Sequence, residues 1–374
     1  MIYGDRIKQA REIRGITQAH LAERVGVSQS AIAQLEQDDP QLSFNPSEAL
    51  IRAIAFHLRF PASFFLRKPG PDFSLGSLWF RKKTTLRSQD KSRIRQLARF
   101  YYEIAEDMAR ELELAPIRIP RLSNEDPSGA ARTTRAMLGI SPDTPIRNVL
   151  FTLELNGAVV IVLRDDLDDE HDAFSLWSDS EPRRPVVVIS CDKPGDRQRF
   201  SVAHELGHLV MHQSSLPPAG KVEQEAHEFA SEFLLPAEVL QDEIPKPVTL
   251  SGLAKLKPRW GVSIQALIKR SEALGITTTR QTTYLFQKLN MMGWREREPA
   301  NLDVPREKPR AFMKMAEIIY GPTVTSEEVA ARVSGSSALV RQILDAYAGK
   351  PDAEPKGKSS QTANVLTFKK LSNN

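Results

Sequence analysis

The chain has 374 residues, of which 41% are hydrophobic and 26% charged, with a net charge of +4. That length predicts two or three domains, and the balance is that of a globular protein rather than a fibrous or wholly disordered one. The mild positive charge is compatible with nucleic acid without arguing for it, and the one cysteine, Cys191, excludes an intrachain disulfide framework. No apolar run reaches the roughly 18–20 residues of a membrane span, and MIYGDRIKQ has no signal-peptide core, so a cytoplasmic protein without membrane contact is expected.

Residues 1–67 read as short helices. Ile7, Ala10 and Ile13 give one apolar stripe, Leu21, Ala22 and Val25 a second, and Ala31, Ile32 and Leu35 a third. Pro46–Leu58 and Pro61–Leu66 add two more, each with proline near its start. Lys68-Pro69-Gly70-Pro71 breaks the pattern and opens a linking region, 68–129. Within it, Arg81 to Arg95 holds seven basic residues against Asp90, a run that reads equally as a solvated helix face or a contact for an anionic partner. Ile94, Leu97, Ala98, Tyr101, Ile104, Ala105 and Met108 then predict a long helix.

From 130 to 300 a helix over Thr133–Leu138 leads to β structure: Gly157–Leu163, Asp172–Trp177 and Pro185–Ser190. Cys191 follows the last of these and reads as a half-buried strand-end thiol. Helices over Arg197–His212, Lys221–Leu235, Leu250–Trp260 and Ser263–Leu274 follow. Residues 301–348 read as a helical region, and 349–374 as a polar disordered tail.

Two motifs carry chemistry. Thr17 to Glu36, TQAHLAERVGVSQSAIAQLE, has the layout of a helix-turn-helix. Thr17 can cap the first helix and Ser28 the second, Ala22 is small where the helices cross, and Gly26 permits a left-handed turn. Val25, Val27, Ile32 and Leu35 would fill the core. The second helix would then enter a major groove of double-stranded DNA with Ser28, Gln29 and Ser30 at base edges and Gln34 one turn on. Gln18 is placed to hold a phosphate.

These residues strongly resemble the XRE (Cro/lambda-repressor-like) family, which implies a five-helix DNA-binding domain over about 4–66. The segment after Glu36, Gln37-Asp38-Asp39-Pro40, departs from the family, which often has glycine and basic residues there. Two acids near phosphates weaken affinity, so specific binding calls for a homodimer or for the basic 81–95 stretch.

The second motif is FSVAHELGHLVMH, Phe200 to His212. His204 and His208 lie one turn apart on a helix and can ligate one zinc ion, with Glu205 placed as general base toward water. His212 shares their face but lies about 12 Å along the axis from His204, too far for the same ion, so it closes the helix end or touches substrate. A third ligand can come from EQEAHEFASEFLLP, Glu223 to Pro236. There Glu223 lies on the apolar face of Ala226 and Ala230, His227 is its rival, and Glu225 points about 200° away into solvent.

Together with RQRF before the histidines, LKPRWGVSIQALIKR (256–270) and Gly293-Trp294-Arg295 with Glu298-Pro299, these motifs resemble the ImmA/IrrE metallopeptidases. The resemblance implies His204, His208 and Glu223 as ligands of Zn2+ and Glu205 as the catalytic base. It also implies a zincin-like fold and a protein substrate, usually a helix-turn-helix repressor of stress, mobile-element or defence genes. The expected fold is therefore mainly α with a small β-sheet (α+β). A different reading keeps the DNA-binding domain and makes the peptidase fold a sensing or partner-binding module without proteolysis. An antitoxin-like partner of another protein is a third.

Thr325 to Leu344 can be laid on Thr17 to Glu36 without a gap: Val329, Ala330, Val333, Val340 and Ile343 fall on Leu21, Ala22, Val25, Ile32 and Leu35. This suggests a second helix-turn-helix-like unit or an ordinary helical hairpin, in neither case with base contacts. An oxyanion donor is sought among His171, His212 and Tyr284.

Overall fold

The computed structural model describes residues 1–37, 46–70, 87–163, 173–190, 193–212, 219–348 and 368–371. Asp38 to Pro40, residues 81–86, His171, Cys191 and most of the expected tail lie outside them.

The N-terminal unit is built from α1 (Gly4–Ile13), α2 (Gln18–Val25), α3 (Gln29–Leu35) and α4 (Glu48–Leu58). The fifth expected helix, Ala62–Leu66, is a 3-10 turn. Ile7, Ala10, Leu21, Ala22, Ile32 and Ile54 are fully or almost fully buried between them, whereas Val25 and Val27 only flank this core. The Thr17 hydroxyl accepts the His20 N–H, Gly26 ends α2 at φ 70°, and the Ser28 hydroxyl accepts the Ala31 N–H to start α3. Only a residue tolerant of positive φ closes so tight a turn, which is why glycine stands there.

α5 (Ser88–Ala109) is more than a linker. It packs on α1 on one side and on the sheet and C-terminal helices on the other. Besides its apolar stripe it buries Gln96, Arg99, Glu103 and Asp107, which recur at three- and four-residue steps. Arg6 donates to Glu103 at 2.5 Å, Gln9 donates to the same carboxylate at 3.1 Å, and Arg99 donates to Asp5 at 2.7 Å. Arg93, part of the basic run, donates to the Ile13 carbonyl at 3.2 Å. Buried charges persist only when paired, so these ion pairs set the register of the first domain against the rest.

After β1 (Leu112–Glu113), α6 (Pro127–Met137) and α7 (Val149–Leu155) comes a three-stranded sheet. Its strands are β2 (Val159–Leu163), β3 (Ala173–Trp177) and β4 (Pro185–Ser190). The order is β2-β4-β3, with β2 parallel and β3 antiparallel to β4. Every residue of central β4 is buried, as expected of a strand covered on both faces.

α8 (Gly195–Met211) lies across β3 and β4 and packs on α9 (Ala219–Leu234), which packs in turn on α6. Gly207, inside the histidine motif, faces Phe229 of α9. A Cβ there would come within 3.1 Å of that ring, so glycine allows the two helices their close approach. α10 (Ala237–Glu243), α11 (Leu250–Trp260), α12 (Ile264–Ala273) and α13 (Thr279–Met291) extend this layer.

The conspicuous motifs around the histidines pin α8 in place. Buried Lys257 donates to Asp196 at 2.5 Å and to Glu298 at 2.6 Å. Buried Arg199 pairs with Glu307 and donates to the Gly261 carbonyl at 2.9 Å.

α14 (Ala311–Tyr320), α15 (Ser326–Val333) and α16 (Ser337–Ala348) complete the helices. Glu154 of α7 is buried and accepts the Arg310 and Ala311 N–H groups at the start of α14. Burial raises its pKa to about 7, against the lowering pull of those two bonds.

The α15–α16 pair repeats the turn geometry of α2–α3. Thr325 caps α15, and Ser334, at φ 51°, takes the place of Gly26. The second helix is oriented differently toward solvent. Ser336, in the place of exposed Ser28, is buried and receives the Arg14 guanidinium at 3.2 Å. A Cβ on Gly335 would come within 2.7 Å of the Phe100 ring. The start of α16 is thus packed on α5 and the first domain and could not enter a DNA groove.

Within 349–374, expected to be disordered, Lys369–Lys370 form β5, antiparallel to β1. A polar segment can still pair its backbone. Among the described residues no helix is long and apolar enough to cross a membrane.

Candidate metal centre and nucleic-acid interface

α8 and α9 bring His204, His208 and Glu223 together, one ligand atom of each lying within 4.8 Å of the others. The Nε2 atoms of His204 and His208 are 3.1 Å apart. Glu223 reaches His204 at 3.3 Å and His208 at 3.5 Å. Burial alone would raise the Glu223 carboxyl. The neighbouring imidazoles of His204 and His208 outweigh that and hold it well below the usual carboxylate range. Its Oε1 is buried and accepts no hydrogen bond among the described residues. Two imidazoles and one carboxylate, one of whose oxygens is buried without a donor, make a set that fits zinc.

Glu205, buried on the same helix, is held from the sheet. The Ser175 hydroxyl on β3 lies 2.9 Å from the Glu205 carboxylate, to which it can donate, and 3.0 Å from the Glu205 carbonyl. Sequence reasoning missed Ser175, because its position on the strand carries no local pattern that points to a site.

His212 caps the end of α8 with its side chain buried. Its Nδ1 lies 3.0 Å from His208 Nδ1 and its Nε2 lies 3.1 Å from Glu225 Oε2. Burial lowers its pKa, so the neutral ring is favoured. Glu225 is therefore mostly buried, not solvated as its helical angle suggests. What lies at that angle is the end of α8 rather than water.

His227 stands outside the group of three. It is exposed, with its ring 5.1 Å from that of His204 and 5.3 Å from that of Phe200. It lines an open groove of about 2090 Å³ that also borders Ser201, Gln224, Phe286 and Trp294. Tyr284 is exposed on α13.

At the other end of the molecule, Ser28, Gln29, Ser30 and Gln34 are exposed on and before α3. Gln18 is committed inside the protein: it donates to Glu36 at 2.8 Å and accepts the Gln29 amide at 3.1 Å. Glu36 is itself clamped by Arg11, at 2.5 and 2.8 Å. This chain orients the Gln29 amide, which can pair with adenine N6 and N7. The phosphate contact expected of Gln18 would have to share its side chain with these bonds.

The fold and the two sites define a helix-turn-helix unit joined to a metallopeptidase-like domain. Comparison with known families agrees. Residues 7–59 match the helix-turn-helix family HTH_3, and residues 157–272 match Peptidase_M78, the IrrE N-terminal-like domain. No curated protein matches the chain. The chain thus unites a helix-turn-helix domain of the kind found in DNA-binding regulators with a metallopeptidase-like domain.

Proposed function

We propose that the chain is a DNA-binding transcriptional regulator whose second domain is a zinc-dependent endopeptidase. Its substrate would be a helix-turn-helix repressor in a stress, mobile-element or defence response. The working units are residues 1–67 and 130–300. The observation that carries this reading is the convergence of His204, His208 and Glu223.

His204, His208 and Glu223 would hold the ion, which when bound lowers the pKa of water and polarises a peptide carbonyl. Glu205 accepts a proton from the attacking water and returns it to the leaving amine. Ser175 fixes the carboxylate that does so. The groove lined by Ser201 and His227 has room for an extended peptide, and the His227 ring on its wall lies 5.1 Å from that of His204. Binding near an operator through α3 raises the effective concentration of the peptidase at DNA-bound repressors. A purely sensing domain leaves Glu205, oriented by Ser175, without a role.

The test mixes zinc-loaded protein with helix-turn-helix repressors encoded beside its gene. Wild type is expected to cleave one of them, and Glu205→Gln to do so about 10²–10⁴-fold more slowly. Equal cleavage by the variant, or none by wild type, overturns the reading.

A further inference from the structure

We infer that His212 and Glu225 are positioning residues that fix the ring orientation and tautomer of His208 through a His208–His212–Glu225 hydrogen-bond chain. This rests on the reading of His208 as a metal ligand.

The argument begins with which nitrogen faces which neighbour. His208 Nε2 points at His204 and Glu223, 3.1 and 3.5 Å away. The nitrogen left over is Nδ1, which lies 3.0 Å from His212 Nδ1. A neutral imidazole that gives one lone pair to a metal carries its proton on the other nitrogen. His208 therefore donates from Nδ1, and His212 must accept at its own Nδ1. The His212 proton then belongs on Nε2, which lies 3.1 Å from Glu225 Oε2. Every nitrogen in the chain has its role assigned, and the carboxylate ends it as a pure acceptor.

The chain is shielded. The side chains of His208 and His212 are buried, and that of Glu225 is 20% exposed. Its other contact, with Lys221 at 3.5 Å, is to an exposed ammonium and supplies a control. The two helices are thus tied twice. α9 offers Glu223 to the metal group and, half a turn on, Glu225 to the residue behind His208. The HExxH spacing places the His208 ring near the ion, and the chain sets which way that ring is turned. Supporting partners of this kind typically govern metal affinity by about 10–100-fold.

The test is zinc affinity of the full-length chain, by competition with a chromogenic chelator, alongside thermal unfolding of the zinc-free protein. Glu225→Ala and His212→Phe are each expected to weaken zinc binding about 10–100-fold. The double variant should be no weaker than His212→Phe alone, because both changes break one chain. His212→Gln, which can accept and donate, should recover part of the affinity, and Lys221→Ala should bind as wild type.

A merely structural role would lower zinc-free stability in step with affinity and show no rescue by glutamine. That result, or wild-type affinity in Glu225→Ala and His212→Phe, overturns the inference. His208→Ala separates the two readings. If it binds zinc like wild type, the metal-site assignment fails and the chain falls with it. If it loses zinc while the other variants keep it, only the chain fails.

Discussion

The α2–α3 pair presents Ser28, Gln29, Ser30 and Gln34 to solvent, whereas the α8–α9 pair holds His204, Glu205 and His208 buried. Both pairs orient a working side chain with a polar support: Gln18 and Glu36 behind Gln29, and Ser175 behind Glu205. Under the proposed function the difference lies in the partner each takes. A groove of DNA would reach the amide from outside, and that surface is open. The histidines and Glu223 instead sit where α8 packs on α9. One consequence is energetic: substitutions at buried, mutually dependent groups cost more than those on the open face.

The largest effect on stability is expected where the two regions are joined. Glu103→Ala leaves Arg6 buried and unpaired, so it should destabilise by about 3–5 kcal/mol in chemical denaturation. A loss near zero would mean that the first domain does not depend on α5, and the two regions would then be independent bodies.

Next comes the pH dependence of the layer around the sheet. Glu154 has a folded pKa of about 7, above the ordinary 4.5. Between those values the folded state binds the extra proton, so stability should fall as pH rises through this window, by about 3 kcal/mol. Below it the stability contributed by this group is fully present and its slope vanishes. Glu154→Gln should flatten that slope in thermal melts run from pH 4.5 to 7.5, and an unchanged slope would assign it to other groups.

The smallest effect belongs to the open pair. Gln29→Ala should cost about 1–3 kcal/mol of discrimination at an adenine position of the operator and leave stability unchanged. A shift assay on operator variants reads this directly. Uniform weakening on all sequences would make Gln29 a backbone contact instead.

Much of this could be read from the chain because the decisive spacings are local. The four-residue step from His204 to His208 gives one helical face, and the seven-residue step from Glu223 to Ala230 gives another. Thr17, Gly26 and Ser28 specify a turn by caps and a left-handed residue. What escaped the sequence is tertiary. Ser175 meets Glu205 because β3 lies under α8. Glu225 meets His212 because α8 ends beside α9. Gln96, Arg99, Glu103 and Asp107 look like an ordinary polar face until the first domain covers them. The α15–α16 pair makes the same point: its backbone repeats α2–α3, yet the surface covering Ser336 removes any role in reading DNA.

The measurement that bears most directly on the central claim is the zinc content of the purified chain, by elemental analysis after dialysis against metal-free buffer. One zinc per chain is predicted for wild type and for Glu205→Gln, with none in His204→Ala/His208→Ala. No zinc in reconstituted wild type, or the same zinc in the double variant, would contradict the account.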